Sequence, residues 1–108
     1  MKWIEFIRVR SSAAALEEAI PSLEKVINEI NASASAEEAF MAQHALYDGD
    51  LSVVVVWNNE FDPLKTREGL LLAEWLQSLG PVDHAVWIPV KESNKCSQTI
   101  KRVKEVIA

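Results

Sequence analysis

The sequence predicts an α+β domain in which two helices lie on one face of a four-stranded antiparallel sheet. Three observations support this fold class: four segments rich in β-branched and aromatic residues, two amphipathic segments with helical spacing, and the order in which they alternate. The 108 residues are 49% hydrophobic and carry a net charge of −5. A chain of this length can bury a core of its own, so residues 1–108 are expected to form one domain.

The first strand is predicted over residues 2–10, where apolar side chains alternate on both faces. Trp3 and Ile7 share one face, and Ile4 and Phe6 share the other. Each face of this strand is therefore expected to have an apolar partner in the folded protein.

The first helix is predicted from Ala13 to Asn31, with Ser11 or Ser12 as its cap. Apolar residues recur in it every three or four positions and form one buried stripe. Pro21 interrupts this segment. Because proline lacks a backbone N–H, a kink or two shorter helices are expected there.

A β-hairpin is predicted next, with Asp48-Gly49 as the two residues of a type I′ turn. Counting outward from that turn pairs His44 with Val53. One face of the hairpin would then carry a single histidine among apolar and aromatic residues: Phe40, His44, Leu46, Leu51, Val53, Val55 and Trp57.

The second helix is predicted to begin at Asp62-Pro63 and to end at Gly80-Pro81. Residues 82–90 form the fourth strand, and the basic segment 91–108 is expected to be a short amphipathic helix that extends the 1–90 core. The resulting βαββαβ order is the ferredoxin-like arrangement, in which both helices cover the same face of the sheet. Because the other face is also apolar, a homodimer that joins sheet to sheet is predicted.

Three segments carry a family resemblance: the hairpin at 45–57, the helical segment 69–76 and the closing segment 80–87. Together they resemble the dimeric α+β barrel superfamily, which includes antibiotic-biosynthesis-type monooxygenases, and the resemblance spans residues 1–90. It implies a fold far more than an activity. The resemblance also implies which residues haem degradation would need: superfamily members that degrade haem use an asparagine in the first strand, a tryptophan, and a histidine late in the second helix. This chain lacks both the asparagine and the histidine, so haem degradation is not implied and no cofactor is predicted.

The composition disfavours several classes of function. No apolar run approaches the roughly 20 residues that cross a bilayer, and the N-terminus lacks a signal-peptide pattern. The acidic balance disfavours nucleic acid as a partner. Three glycines cannot form a phosphate-binding loop, and the single cysteine, Cys96, cannot form an internal disulfide. We therefore expect a cytoplasmic protein that binds neither membranes nor nucleic acid.

His44 is the predicted catalytic residue, because an imidazole on an apolar strand face can act as a general base. A hydrogen-bonded structural histidine is the alternative interpretation. The predicted ligand-binding residues are polar or aromatic side chains set in apolar segments: Glu5, Phe40, Trp57, Trp75 and His84. The tryptophans could equally be core residues. No spacing of possible ligands specifies a metal site.

The sequence leaves open whether the protein is an enzyme. A homodimer that binds a small apolar or aromatic molecule is the first hypothesis. The alternative is a cofactor-independent monooxygenase-like enzyme acting on an aromatic or quinone-like substrate, and a third possibility is a module that only dimerises. The first two hypotheses differ in whether the space between helices and sheet is a cavity lined by His44 or is solidly packed.

Overall fold

The computed structural model describes residues 1–33 and 35–90. Its helices and strands follow the predicted order: β1 (Lys2–Arg10), α1 (Ala13–Asn31), β2 (Ala36–Gln43), β3 (Asp50–Asn58), α2 (Arg67–Leu76) and β4 (Val82–Trp87). The strands form one antiparallel sheet in the order β2-β3-β1-β4. The ferredoxin-like α+β fold is therefore confirmed, whereas the helix predicted at 91–108 lies outside the described residues. No helix in the described ranges is long and apolar enough to cross a membrane.

Helix α1 runs without a break through Pro21, so the predicted division into two shorter helices is wrong. Ser12 caps it by accepting a hydrogen bond from the backbone N–H of Ala15. Pro21 is exposed, while the apolar stripe is buried on both sides of it, at Leu16 and Leu23 for example. Burial of that continuous stripe outweighs the one backbone hydrogen bond that proline removes.

The hydrophobic core lies between the sheet and the two helices, and we call this side of the sheet the helix face. Odd-numbered residues of the two central strands point into it: Trp3, Glu5, Ile7 and Val9 from β1, and Leu51, Val53, Val55 and Trp57 from β3. They pack against the buried stripes of α1 and α2. The period of two along a strand places all of these side chains on one face.

The opposite side of the sheet, which we call the second face, is also largely apolar. It carries the even-numbered residues of the central strands, among them Ile4, Phe6, Val54 and Val56. Trp87 of the edge strand β4 lies on the same face. Both α1 and α2 pack on the helix face, so neither of these helices covers the second face.

The hairpin register predicted from Asp48-Gly49 is wrong. The structure pairs Met41 with Val53 and Phe40 with Val54, a shift of three residues from the prediction. An odd shift exchanges the two faces of a strand, so Phe40 lies on the second face, away from Trp57. His44 lies outside β2 and is the first residue of the connecting loop.

The loop that replaces the tight turn spans residues 44–49. Its ends are joined by a hydrogen bond from the His44 N–H to the Asp50 carbonyl oxygen (2.8 Å). The imidazole Nδ1 of His44 accepts hydrogen bonds from the backbone N–H groups of Leu46 (3.0 Å) and Tyr47 (3.3 Å). A type I′ turn needs positive φ at both central residues, and Gly80 is the one described residue that has it. The histidine side chain thus stabilises a longer loop instead.

Helix α2 begins at Arg67, later than the predicted start at Asp62-Pro63. Thr66 is the actual cap, and its Oγ1 accepts a hydrogen bond from the Gly69 N–H (2.9 Å). The helix ends at Leu76, before the predicted stop at Gly80-Pro81. The later start follows from contacts of Thr66 with the sheet, which are described next.

Candidate functional site

A buried carboxylate stands at the centre of the helix face. Glu5 is fully buried, yet both of its oxygens have hydrogen-bond partners. Oε1 accepts from Trp57 Nε1 (3.0 Å) and from Thr66 Oγ1 (2.7 Å), while Oε2 accepts from the Thr66 N–H (3.1 Å) and lies 2.5 Å from His84 Nε2. We call these four residues the Glu5 cluster. Its complete set of partners offsets the cost of removing a carboxylate from water.

Strand alternation brings three members of this cluster together. Glu5 and Trp57 are odd-numbered residues of the adjacent strands β1 and β3. His84 lies on β4, where it pairs with the odd-numbered Ile7 of β1. All three therefore point to the helix face. The His84 side chain is only 7% exposed. The sequence predicts all three as ligand-binding residues, and in the structure Trp57 and His84 each contact Glu5.

Thr66 is the member of the cluster that sequence reasoning missed. Its hydroxyl donates to Glu5 and accepts from the Gly69 N–H, so it links the sheet to the first turn of α2. A carboxylate at a helix N-terminus is also favoured by the helix dipole. The signal was present, since threonine is a preferred cap, but Asp62-Pro63 was the stronger local pattern.

Gly69 makes room for the carboxylate. A Cβ at this position would lie 2.6 Å from the Cδ of Glu5 and closer still to Oε2. Such an approach is far inside van der Waals contact, so α2 can lie this close to Glu5 only if residue 69 has no side chain. The glycine is therefore part of the site even though it contributes no functional group.

An apolar crevice of about 390 Å³ lies between α1 and α2, next to the cluster. We call it the helix crevice. It is lined by residues from both helices, from the segment just after α1 and from β3: Val26, Glu29, Ile30, Ser33, Trp57, Glu68, Leu71, Leu72 and Trp75. Trp57 belongs both to this lining and to the Glu5 cluster, because its indole N–H donates to Glu5. Its ring also stacks on Trp3, with 5.8 Å between centroids.

The other two predicted site residues lie elsewhere. Phe40 is on the second face, and His44 lies in the exposed loop that precedes β3, whereas Trp57 is near the end of that strand. The predicted pocket that would bring His44 and Trp57 together is therefore not formed. His44 instead lines a separate cleft of about 640 Å³, together with Arg8 and Tyr47.

An ion pair stands beside that second cleft. Arg8 binds Asp50 through two hydrogen bonds, Nε to Oδ1 (2.9 Å) and a terminal nitrogen to Oδ2 (2.6 Å). This hydrogen bond to Arg8, supported by the charges of Arg8 and Arg10, holds the pKa of Asp50 below its usual value, although burial of the carboxyl opposes the shift. The ion pair thus joins the adjacent strands β1 and β3 within one chain.

Metal binding finds no support in the described part of the chain. No group of three His, Cys, Asp or Glu side chains within residues 1–33 and 35–90 could hold a metal ion.

The chain has a ferredoxin-like α+β fold, with an apolar crevice beside a buried carboxylate–histidine contact. No protein-family model matches the sequence, and no curated protein matches it either. Solved structures do match, and they confirm the fold.

Three of these structures illustrate the similarity. Rv0793 from Mycobacterium tuberculosis is 16% identical, with a TM-score of 0.65 over 86% of this chain and 99% of that chain. A candidate antibiotic biosynthesis monooxygenase from Nitrosomonas europaea is 7% identical, with a TM-score of 0.65 over 85% and 93%. A variant of SnoaB, a cofactor-independent oxygenase from Streptomyces nogalater, is 12% identical, with a TM-score of 0.55 over 83% and 92%. At such identities the likeness concerns the fold alone.

Proposed function

We propose that this protein binds a small apolar or aromatic molecule in the helix crevice. One observation carries the proposal: the crevice is largely apolar, and the indole of Trp57 in its wall is fixed from behind by a hydrogen bond to buried Glu5. Small-molecule sites are typically concave and apolar, with a few fixed polar groups. A side chain that is already held in place loses little freedom when a ligand binds, which favours affinity.

Exposed apolar side chains at the crevice support the same function. Leu71 is 56% exposed and Trp75 is 38% exposed, although both lie on a helix with a well-buried opposite stripe. Exposing such side chains next to one another costs free energy unless something covers them. A ligand with a ring or a short aliphatic frame would cover both residues.

The binding proposal is tested by titrating the protein with naphthylmethanol in a calorimeter. We expect saturable binding to one site per chain. Leu71→Ala should weaken it about threefold to tenfold, because each buried methylene contributes roughly 0.8 kcal/mol. Leu70→Ala is the matched control, since Leu70 is 52% exposed on the same helix but does not line the crevice. Absence of saturable binding, or equal loss in both variants, would contradict the proposal.

We also propose that two copies associate through the second face of the sheet. This face is apolar at Ile4, Phe6 and Val54, both α1 and α2 lie on the other side, and Trp87 at its edge is 62% exposed. Two such faces related by a two-fold axis would bury each other. In sedimentation experiments Trp87→Lys should weaken the dimer at least tenfold, whereas Leu70→Lys should not. A monomeric parent protein would contradict this proposal.

Cofactor-independent oxygenation of an aromatic or quinone-like substrate is the second candidate function. The buried contact between Glu5 and His84 favours it, because a carboxylate beside an imidazole is how many enzymes orient a base. In such a reaction an activated CH2 group of the substrate becomes C=O, while the second oxygen atom of O2 leaves as water with the two hydrogens. The substrate supplies all the electrons. His84 does not line the crevice, so binding remains the better supported function.

Oxygen uptake with anthrone, which carries an activated CH2 group, tests this candidate. If the protein is an oxygenase, uptake should exceed the spontaneous rate and fall at least a hundredfold in His84→Gln, which keeps a hydrogen-bond donor for Glu5. His44→Ala should retain the activity, because His44 lies in the exposed loop that follows β2, whereas His84 is on β4 at the opposite edge of the sheet. Uptake no faster than in buffer would exclude this activity for anthrone while leaving the binding proposal standing.

A further inference from the structure

We infer that the helix crevice selects ligands that carry a positive charge on an apolar frame, such as a protonated aromatic amine. This inference rests on the proposed binding function and names the class of ligand. Among residues 1–33 and 35–90, only two charged side chains line the crevice, and both are carboxylates, Glu29 and Glu68. No lysine, arginine or histidine of these described ranges lines it.

The two carboxylates come from different helices. Glu29 belongs to the last part of α1, and Glu68 belongs to the first turn of α2. Both are exposed, and neither forms an ion pair with another described residue. Two carboxylates on the same crevice attract a cation and repel an anion, and the apolar lining beside them strengthens both effects.

The aromatic lining favours the same ligand class. Tryptophan binds cations over its ring face better than the other aromatic residues do, and Trp75 in the crevice lining is 38% exposed. Val26, Ile30 and Leu72 supply an apolar surface for the rest of the ligand. An amine attached to a ring or an aliphatic chain would therefore satisfy the whole lining, whereas a carboxylate or a phosphate would face two like charges.

The inference is tested with two probes that differ only in charge. Naphthylmethylamine is protonated at neutral pH, and naphthylmethanol is neutral and of nearly the same shape. We expect the amine to bind about threefold to tenfold more tightly in about 20 mM salt, and the ratio to shrink in about 200 mM salt. Glu29→Gln/Glu68→Gln should bring the ratio of the two affinities towards one. Glu74→Gln is the control, because Glu74 lies on α2 with Glu68 but does not line the crevice. This variant should leave the ratio unchanged.

The outcomes separate this inference from the function on which it rests. Equal binding of the two probes, or tighter binding of the alcohol, would overturn the preference for cations while leaving the binding function intact. A preference that survives in the double variant would likewise overturn the role of the two carboxylates. If neither probe binds, both the inference and the proposed function fail.

Discussion

Replacement of Gly69 by alanine should destabilise the protein, although alanine is the better helix former. The added Cβ would overlap Oε2 of Glu5 and lie 2.6 Å from its Cδ. Glu5 is fully buried, so its carboxylate has no open space in which to turn away. The carboxylate must therefore leave its position, and Oε2 must give up its contacts with the Thr66 N–H and with His84.

The magnitude follows from these two contacts. A hydrogen bond to a charged group contributes about 1.5 to 3 kcal/mol, so the loss of two costs about 3 to 6 kcal/mol. Replacing glycine by alanine within a helix raises the free energy of unfolding by about 1 kcal/mol, because alanine has the higher helix propensity. The free energy of unfolding should therefore fall by about 2 to 5 kcal/mol, which is a large part of the stability of a typical domain.

Urea unfolding of four proteins measures this effect: the parent, Gly69→Ala, Glu5→Ala and the double variant. With the carboxylate removed, the same glycine replacement should stabilise the protein by up to about 1 kcal/mol, because only the gain in helix propensity remains. This change of sign separates the proposed clash from a general intolerance of α2. Should Gly69→Ala prove as stable as the parent, the reasoning about the packed carboxylate is refuted.

Three further predictions concern groups outside the helix crevice. Arg8 lowers the pKa of Asp50 from its usual 3.8, so the pair stabilises the protein above that pH, and this contribution is lost as the pH falls through the lowered pKa. In urea unfolding, the advantage of the parent over Asp50→Asn should therefore shrink steadily as the pH is lowered below 3.8. His44→Ala should leave the affinity for naphthylmethanol unchanged in calorimetry and cost no more than about 1 kcal/mol, because the loop is exposed and water can replace the lost acceptor. Asn31→Ala should cost about 1 to 2 kcal/mol in thermal or urea unfolding, since the side chain both donates to and accepts from the backbone of Ala39 (2.9 and 2.8 Å); an unchanged stability would contradict that role.

The fold could be predicted from the sequence because its main signals are local. The alternation in β1 and the apolar stripe of α1 each fix a secondary structure and a buried face. The same alternation is sufficient to bring Glu5, Trp57 and His84 to one face once the strand order is known. These three residues were predicted because they are polar or aromatic side chains within apolar segments.

The positions of Phe40 and His44 could not be predicted, because they depend on the length of a single loop. An error of an odd number of residues in that loop exchanges both faces of β2. In the longer loop, the imidazole of His44 accepts two backbone N–H groups, and Gln43 donates to the Asp48 carbonyl oxygen. The start of α2 is decided in a similar way, because Thr66 gains a buried partner, Glu5, from a strand sixty-one residues earlier.

Binding in the helix crevice is the central claim, and the indole N–H signals of the tryptophans test it most directly. Titration with naphthylmethanol, followed by proton–nitrogen correlation spectra, should shift the signals of Trp57 and Trp75 with one common dissociation constant. Trp87, on the second face, should not move. Single Trp→Phe variants assign the signals. A saturable shift confined to Trp57 and Trp75 is the expected result, whereas no saturable shift, or a shift of Trp87 alone, would contradict the claim.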